Sequence, residues 1–302
     1  MSILVVGSVA FDSLKTPFGE REKILGGSAT YFSLAASFFT QVRVVAVVGE
    51  DFTAENERVL TLHGVDTTGL ERAAGKTFHW GGEYGDNLNE AKTKFTDLNV
   101  FENFAPKIPP QYEDTQFLFL ANIQPELQLD VRHKMPNVKL VGGDTMNLWI
   151  NIKRAELEKT LSKVDILLIN DTEAKMLAGD SSLPRAARKV LEFGPKALVV
   201  KHGEYGATIF FRDGSSPFRA PALPIEEVHD PTGAGDSFAG GFMGCIASNG
   251  ELTPQTLKRA MFYGGVMGSF AVENFGTERL QKLTRAEIDE RFQVFRSLTH
   301  LD

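Results

Sequence analysis

The sequence predicts an α/β protein, a three-layer α/β/α sandwich around a mostly parallel sheet. Short, mostly apolar runs recur along the first two thirds of the 302 residues, and such runs read as strands buried on both faces. Helical patterns separate them, and strand–helix alternation builds a parallel sheet covered by helices on both sides. Length leaves one large domain or two small ones open. Either way the chain is long enough to bury most of its apolar surface without a metal or disulfide staple.

The strand candidates are residues 3–9, 42–48, 117–121, 138–141, 166–169 and 197–201. Helical patterns cover 28–39, 53–63 (stopped by Gly64), 125–134, 155–161, 172–178 and 184–193 (stopped by Gly194 and Pro195). From Asp230 onward the pattern turns mostly helical, at 235–248, 254–272 and 285–296. Residues 77–84 and 91–98 break the alternation: they carry Thr, Phe, Tyr and Trp with period-two character around the turn-like GDNLN. They read as an antiparallel hairpin, either a lid over a ligand or a plain edge hairpin.

Composition excludes several function classes. The chain is 42% hydrophobic and 24% charged, with a net charge of −7, so it attracts neither nucleic-acid backbones nor anionic membranes. No apolar run approaches the roughly 20 residues that span a bilayer. The N-terminus lacks the positive region of a signal peptide. Cys245 is the single cysteine and lies in the apolar run 241–247; a buried thiol in a reducing, cytoplasmic setting is expected. The expected partner is a small molecule. An anionic cofactor would have to be held locally, by backbone N–H groups, a few basic side chains or a cation.

The stretch HDPTGAGDSFAGG, residues 229–241, carries the chemistry. A strand expected at 224–228 runs into a glycine-rich turn and then a helix. Gly233 and Gly235 permit close backbone approach, and the helix start offers unpaired N–H groups with a positive dipole end, an anion hole. An acid, Asp236, inside an anion hole is wasteful for mere phosphate binding. It makes sense as a base that takes a proton from a hydroxyl attacking a phosphoryl group. The alternative is that Asp236 caps the helix and the glycines only turn the chain. Other signals fail. GLERAAGKT has its glycines six apart, no buried strand precedes it, and TGAGDSF lacks the third dinucleotide-binding glycine. The histidines show no paired zinc spacing and GGSAT is no nucleophile elbow.

DPTGAGDSFAGGF resembles the C-terminal signature of the ribokinase-like (PfkB) carbohydrate kinases, and LGGSATYFSLAA, with Gly26 and Gly27, resembles their N-terminal one. The resemblance covers the whole chain and implies one kinase domain over 1–302, with a small β-sheet lid at about 11–25 and 75–104. It implies ATP and Mg2+ as cofactors and a sugar or nucleoside hydroxyl as acceptor. Asp236 would be the base, and the N–H groups of Gly233, Ala234 and Gly235 would hold the phosphoryl group. Asp12, Gly26 and Gly27 would grip the acceptor. Asn170 and Glu173 would order Mg2+ through water; read from the residues alone, they are an ordinary helix cap. Lys201, Gly203 and Gly206 match the family's nucleotide-side turn, and Thr232 and Asn274 are placed on that side too. Asp230 and Thr232 sit where relatives bind K+. Relatives often dimerise through the lid.

One departure bears on the acceptor. The family pattern has Asn where this chain has Tyr31 or its neighbour, and no Asn occurs between Gly26 and Gln41. A phenol replaces an amide donor and acceptor. Phe11, Tyr31, Phe32, Phe78 and Trp80 are aromatics that could meet at the pocket or simply fill the core. Stacking on a base favours a nucleoside narrowly over a free monosaccharide or inositol. Asp144, after the run 138–141, is either near substrate or a cap. A non-catalytic nucleotide sensor is the contrasting class, and it has no use for Asp236.

Overall fold

The computed structural model describes residues 1–299. The chain begins β1 (Ser2–Val6), β2 (Ala10–Thr16), β3 (Gly19–Gly26), α1 (Ser28–Ser37), β4 (Gln41–Val48), α2 (Ala54–Leu62) and β5 (Asp66–Arg72). Then come β6 (His79–Tyr84), β7 (Ala91–Asp97), β8 (Phe117–Leu120), α3 (Pro125–Lys134), β9 (Leu140–Gly143), α4 (Asn147–Ile152), α5 (Arg154–Leu161) and β10 (Ile166–Asn170). The remainder holds α6 (Asp171–Ala178), α7 (Leu183–Glu192), β11 (Ala197–Lys201), β12 (Ala207–Phe211) and β13 (Phe218–Ala220). It closes with α8 (Ala234–Asn249), α9 (Pro254–Ala271), α10 (Glu278–Lys282) and α11 (Arg285–Thr299).

Nine strands form the central sheet in the order β13-β12-β11-β10-β9-β8-β1-β4-β5. It is parallel from β5 to β11 and antiparallel at β12 and β13. Strand alternation sorts its side chains into two layers. Ile3, Val5, Phe117, Phe119, Ile166 and Leu168 pack with residues of α1, α8, α9 and α11. On the other face, Leu4, Val6, Leu118 and Val141 meet α3, while Leu167, Ile169, Leu198 and Val200 meet α4 to α7. Helix α8 is wedged tightly into the first layer: a Cβ on Gly240 would fall 2.5 Å from the Phe32 carbonyl, and one on Gly241 2.6 Å from the Tyr263 carbonyl. Those two glycines of the signature therefore serve packing, not chemistry. Cys245, on the same helix, is buried, and burial pushes its thiol up to about 11.

A second, smaller sheet has the order β3-β2-β6-β7. The expected hairpin is β6–β7, antiparallel, and it joins β2 through a parallel pairing with β6. The expected strand at 224–228 does not form. That run pairs with nothing and is exposed at Pro224, Glu226 and Glu227; a proline and two acids leave too little apolar side to hold it on a sheet. Strands β5, β12 and β13 lay outside the sequence reading, and β2 and β3 entered it only within the β-sheet lid expected at about 11–25. In β3, GEREKILG, four consecutive exposed residues mask any apolar alternation.

Candidate active site

The parallel strands all end at one edge of the central sheet, where open α/β sheets bind ligands. Asp144 follows β9, Asn170 ends β10 and Lys201 ends β11, with Asn170 and Lys201 side by side in the ladder. At β1 the chain turns out early, through Gly7 and Ser8. The Ser8 and Ser28 backbone N–H groups each donate to the other's hydroxyl, at 3.2 and 3.0 Å. That exchange pins the start of α1 to the end of β1 and sets the adjoining glycine pair in place.

The first half of the site surrounds the start of α8. Gly233 holds φ +73°, and a Cβ there would fall 2.3 Å from the Tyr31 ring, so only glycine fits. Among the described residues no side chain caps this helix end. The Ala234 N–H donates to the Pro231 carbonyl at 3.2 Å. The N–H groups of Gly233, Gly235 and Asp236 take no protein acceptor among the described residues, which leaves them for an anion. Asp236 thus makes no cap bond and keeps part of its surface open. Burial, followed by the charge of Asp144, raises its carboxyl to about 7, against the pull of Lys201.

Lys201 is the cation of this half. Its Nζ lies 3.3 Å from Asp144 Oδ2, with the two side chains 16% and 8% exposed. A Cβ on Gly235 would fall 3.0 Å from the same nitrogen. Glu173 completes the group: burial and the charge of Asp144 raise it to about 7, and Lys201 acts against them. Asn170 and Glu173 form a reciprocal cap on α6, each accepting the other's backbone N–H at 2.8 Å. The capping geometry is therefore present, yet Glu173 also faces Asp144, Lys201 and Asp236.

Acids and phenols make up the second half. Asp12 is 4% exposed and lies against Gly26, where a Cβ would fall 1.9 Å from Oδ2. The Gly27 N–H bonds its carboxylate, but burial and the charges of Asp230 and Asp236 raise it to about 8. Tyr31 is 1% exposed and its hydroxyl has no partner among the described residues. Burial, then the charges of Asp12 and Asp230, hold that phenol well above its ordinary range. Asp230 is fully buried: Thr232 N–H donates to Oδ1 at 2.9 Å and Gly276 N–H to Oδ2 at 2.8 Å.

The hairpin closes over both halves. Tyr84, at the end of β6, is 3.0 Å hydroxyl to hydroxyl from Thr232. Asn89, in the β6–β7 turn, lies over the turn at Gly203, where a Cβ would fall 2.0 Å from Asn89 Oδ1. Gly206 approaches β13 just as closely, 2.1 Å from its Cβ position to the Ala220 carbonyl. Tyr84 and Asn89 escaped the sequence reading; period-two spacing from Trp80 was the signal for Tyr84.

The aromatic candidates separate. Phe11 packs on Phe52, Phe32 stacks on Phe119 in the core, and Phe78 stacks on Phe101. Trp80 pairs in register with Asp12 and so shares its face of the second sheet. Its indole lies across Gly82, where a Cβ would fall 2.1 Å from the ring. Asn274 is half-buried in the loop after α9, and none of the hydrogen bonds described for the site includes it.

Residues 2–283 match the model of the pfkB family carbohydrate kinases. The chain is 33% identical over 254 residues to a cytidine kinase of Thermococcus kodakarensis, spanning 80% of this chain and 87% of that one. It is 24% identical over 291 residues to a nucleoside kinase of Methanothermobacter thermautotrophicus, 91% of each. In fold it resembles Burkholderia thailandensis nucleoside kinase in complex with ADP-inosine, with a TM-score of 0.80 at 20% identity over 98% and 96% of the two chains.

Proposed function

The chain belongs to the pfkB family of carbohydrate kinases, and on that premise we propose that it transfers the γ-phosphoryl group of ATP to a hydroxyl of an uncharged nucleoside. The observation that carries this reading is the placement of Asp236. It is a raised, partly open carboxyl at a helix start, with unpaired N–H groups on one side and the pocket of Asp12 on the other. Asp236 takes the proton of the acceptor hydroxyl. The N–H groups of Gly233, Gly235 and Asp236 hold the phosphoryl oxygens; a donor of this kind is typically worth about 3–4 kcal/mol in the transition state. Asp12 and the glycine pair orient the acceptor.

Three features favour a neutral nucleoside over a sugar acid or sugar phosphate. The charges acting on Asp12 are both negative, so a second anion would be repelled. Trp80 laid across Gly82 offers a stacking face beside Asp12. The cytidine kinase relative covers most of the chain.

Mg2+ fits the first half. Among the described residues no three acidic, histidine or cysteine side chains form a metal cage, and Mg2+ binds through one or two carboxylates, water and phosphate rather than such a cage. Glu173 would hold it, with Asn170 ordering its water, and when bound it neutralises phosphate charge. The same reading assigns K+ to the loop of Asp230 and Thr232. Each Asp230 oxygen accepts one N–H and keeps a lone pair for a cation. It also assigns the lid to the second sheet, and a dimer contact to β7, exposed at every residue.

The test is ADP release from Mg-ATP with cytidine, adenosine, inosine, ribose, deoxyribose, myo-inositol and a sugar acid, each with and without K+. Turnover led by a nucleoside is expected. Turnover led by the sugar acid would overturn the neutral-acceptor reading.

A further inference from the structure

We propose that Lys201 is a catalytic residue that grips the transferring phosphoryl group, and that Asp144 holds it ready before the nucleotide binds. The proposal rests on the kinase reading above and gives Lys201 a role beyond the nucleotide-side turn. Its ammonium stands beside Gly235, whose N–H is one of the free donors at the start of α8. The side chain reaches there from the end of β11, 16% exposed, and ion-pairs at 3.3 Å with a carboxylate that is 8% exposed. Three acids, Asp144, Glu173 and Asp236, act on this one ammonium. Crowding three acids round one ammonium serves folding poorly.

A phosphoryl group in flight spreads negative charge over its equatorial oxygens. Backbone donors on one side of that group leave the other side to a cation. Lys201 Nζ is a compact point charge able to swing from Asp144 to a phosphoryl oxygen within its hydrogen-bond reach. The step is ordinary transfer: the acceptor oxygen forms its bond to phosphorus, the bond to the ADP oxygen breaks, and Asp236 keeps the proton. Lys201 changes no covalent bond; it stabilises the charge as it moves.

A simpler role would be to neutralise Asp144. The double variant Lys201→Met with Asp144→Asn separates the two, because it removes both charges and strands neither. Lys201→Met should lower kcat by ~10²–10³-fold, in the range of a lost transition-state donor, with the acceptor KM within about threefold. Calorimetric titration should show a larger loss of affinity for a non-hydrolysable ATP analogue than for ADP. The double variant should fold and stay as slow as the single one. Recovery of turnover in the double variant, or equal losses for the analogue and ADP, would overturn the proposal. An inactive wild-type enzyme would instead refute the underlying kinase reading, so the two failures are distinct.

Discussion

Both halves of the site are built round buried acids, and they differ in what offsets them. Around the start of α8, Asp144, Glu173 and Asp236 share Lys201 and a set of unpaired N–H groups. Around Asp12, the neighbours are Asp230, Tyr31 and Tyr84, and the charges acting on Asp12 are negative. On the proposed reading, Lys201 and the unpaired N–H groups stand on the side that takes the triphosphate, whereas the side that takes the alcohol is lined by acids and phenols. One pocket can thus tell its two substrates apart by charge before it reads any shape.

The harshest way to break this contrast is to remove the acid that joins the halves. Asp236→Asn is expected to lower kcat by about 10³–10⁴-fold while nucleotide and acceptor still bind, measured by steady-state kinetics and titration calorimetry. In the wild type, kcat/KM should rise as pH climbs through about 7, because the base works only when ionised. Asp12→Asn should lower kcat/KM for the acceptor by roughly 10–100-fold, the cost of leaving a buried hydrogen-bonding group without its partner. It should leave ADP affinity unchanged; a matching loss of ADP affinity would dissolve the distinction between the halves.

Stability should follow the same acids. The folded carboxyl of Asp12 sits at about 8, above its unfolded value, so the native state binds the extra proton between about pH 4 and 8. The sign is that stability falls as pH rises across that window. Thermal melts from pH 5 to 8 should show the decline, and Asp12→Asn should lessen its slope, gaining roughly 5 °C at pH 8 while Asp236 and Glu173 keep the remainder. Trp80→Ala should raise KM about tenfold for a nucleoside, in line with the worth of one stacked base, and leave free ribose nearly unaffected. Smallest of all, Tyr84→Phe should cost about fivefold in kcat/KM, one neutral hydrogen bond between hairpin and turn.

Much of this was legible in the sequence wherever pattern and chemistry coincide. Residues 125–134 read as a helix and 197–201 as a strand, and both form with those bounds, because periodicity and flanking breakers agreed. The turn at Gly233 was legible from its two glycines, but a base at Asp236 was preferred to a helix cap only through the longer stretch DPTGAGDSFAGGF. The second sheet was half visible: β6 and β7 carry β-formers, but β3 is a run of charges whose strand depends on its neighbour β2. Asn170 and Glu173 show the limit of local reading, since a cap and a site look alike until Asp144 and Lys201 arrive from other strands. The Lys201–Asp144 pair spans 57 residues, and no spacing rule in the chain announces it. Phe11, Phe32 and Phe78 show the converse: aromatic character marks them, yet each packs on another phenylalanine ring.

The burial of Cys245 has a practical consequence. With its thiol 1% exposed and pushed up to about 11, the native chain offers thiol reagents no reactive handle. A cysteine placed at Asn89 would be the sole site to take a fluorophore, so any movement of the hairpin against the Gly203 turn would be read as a change in emission.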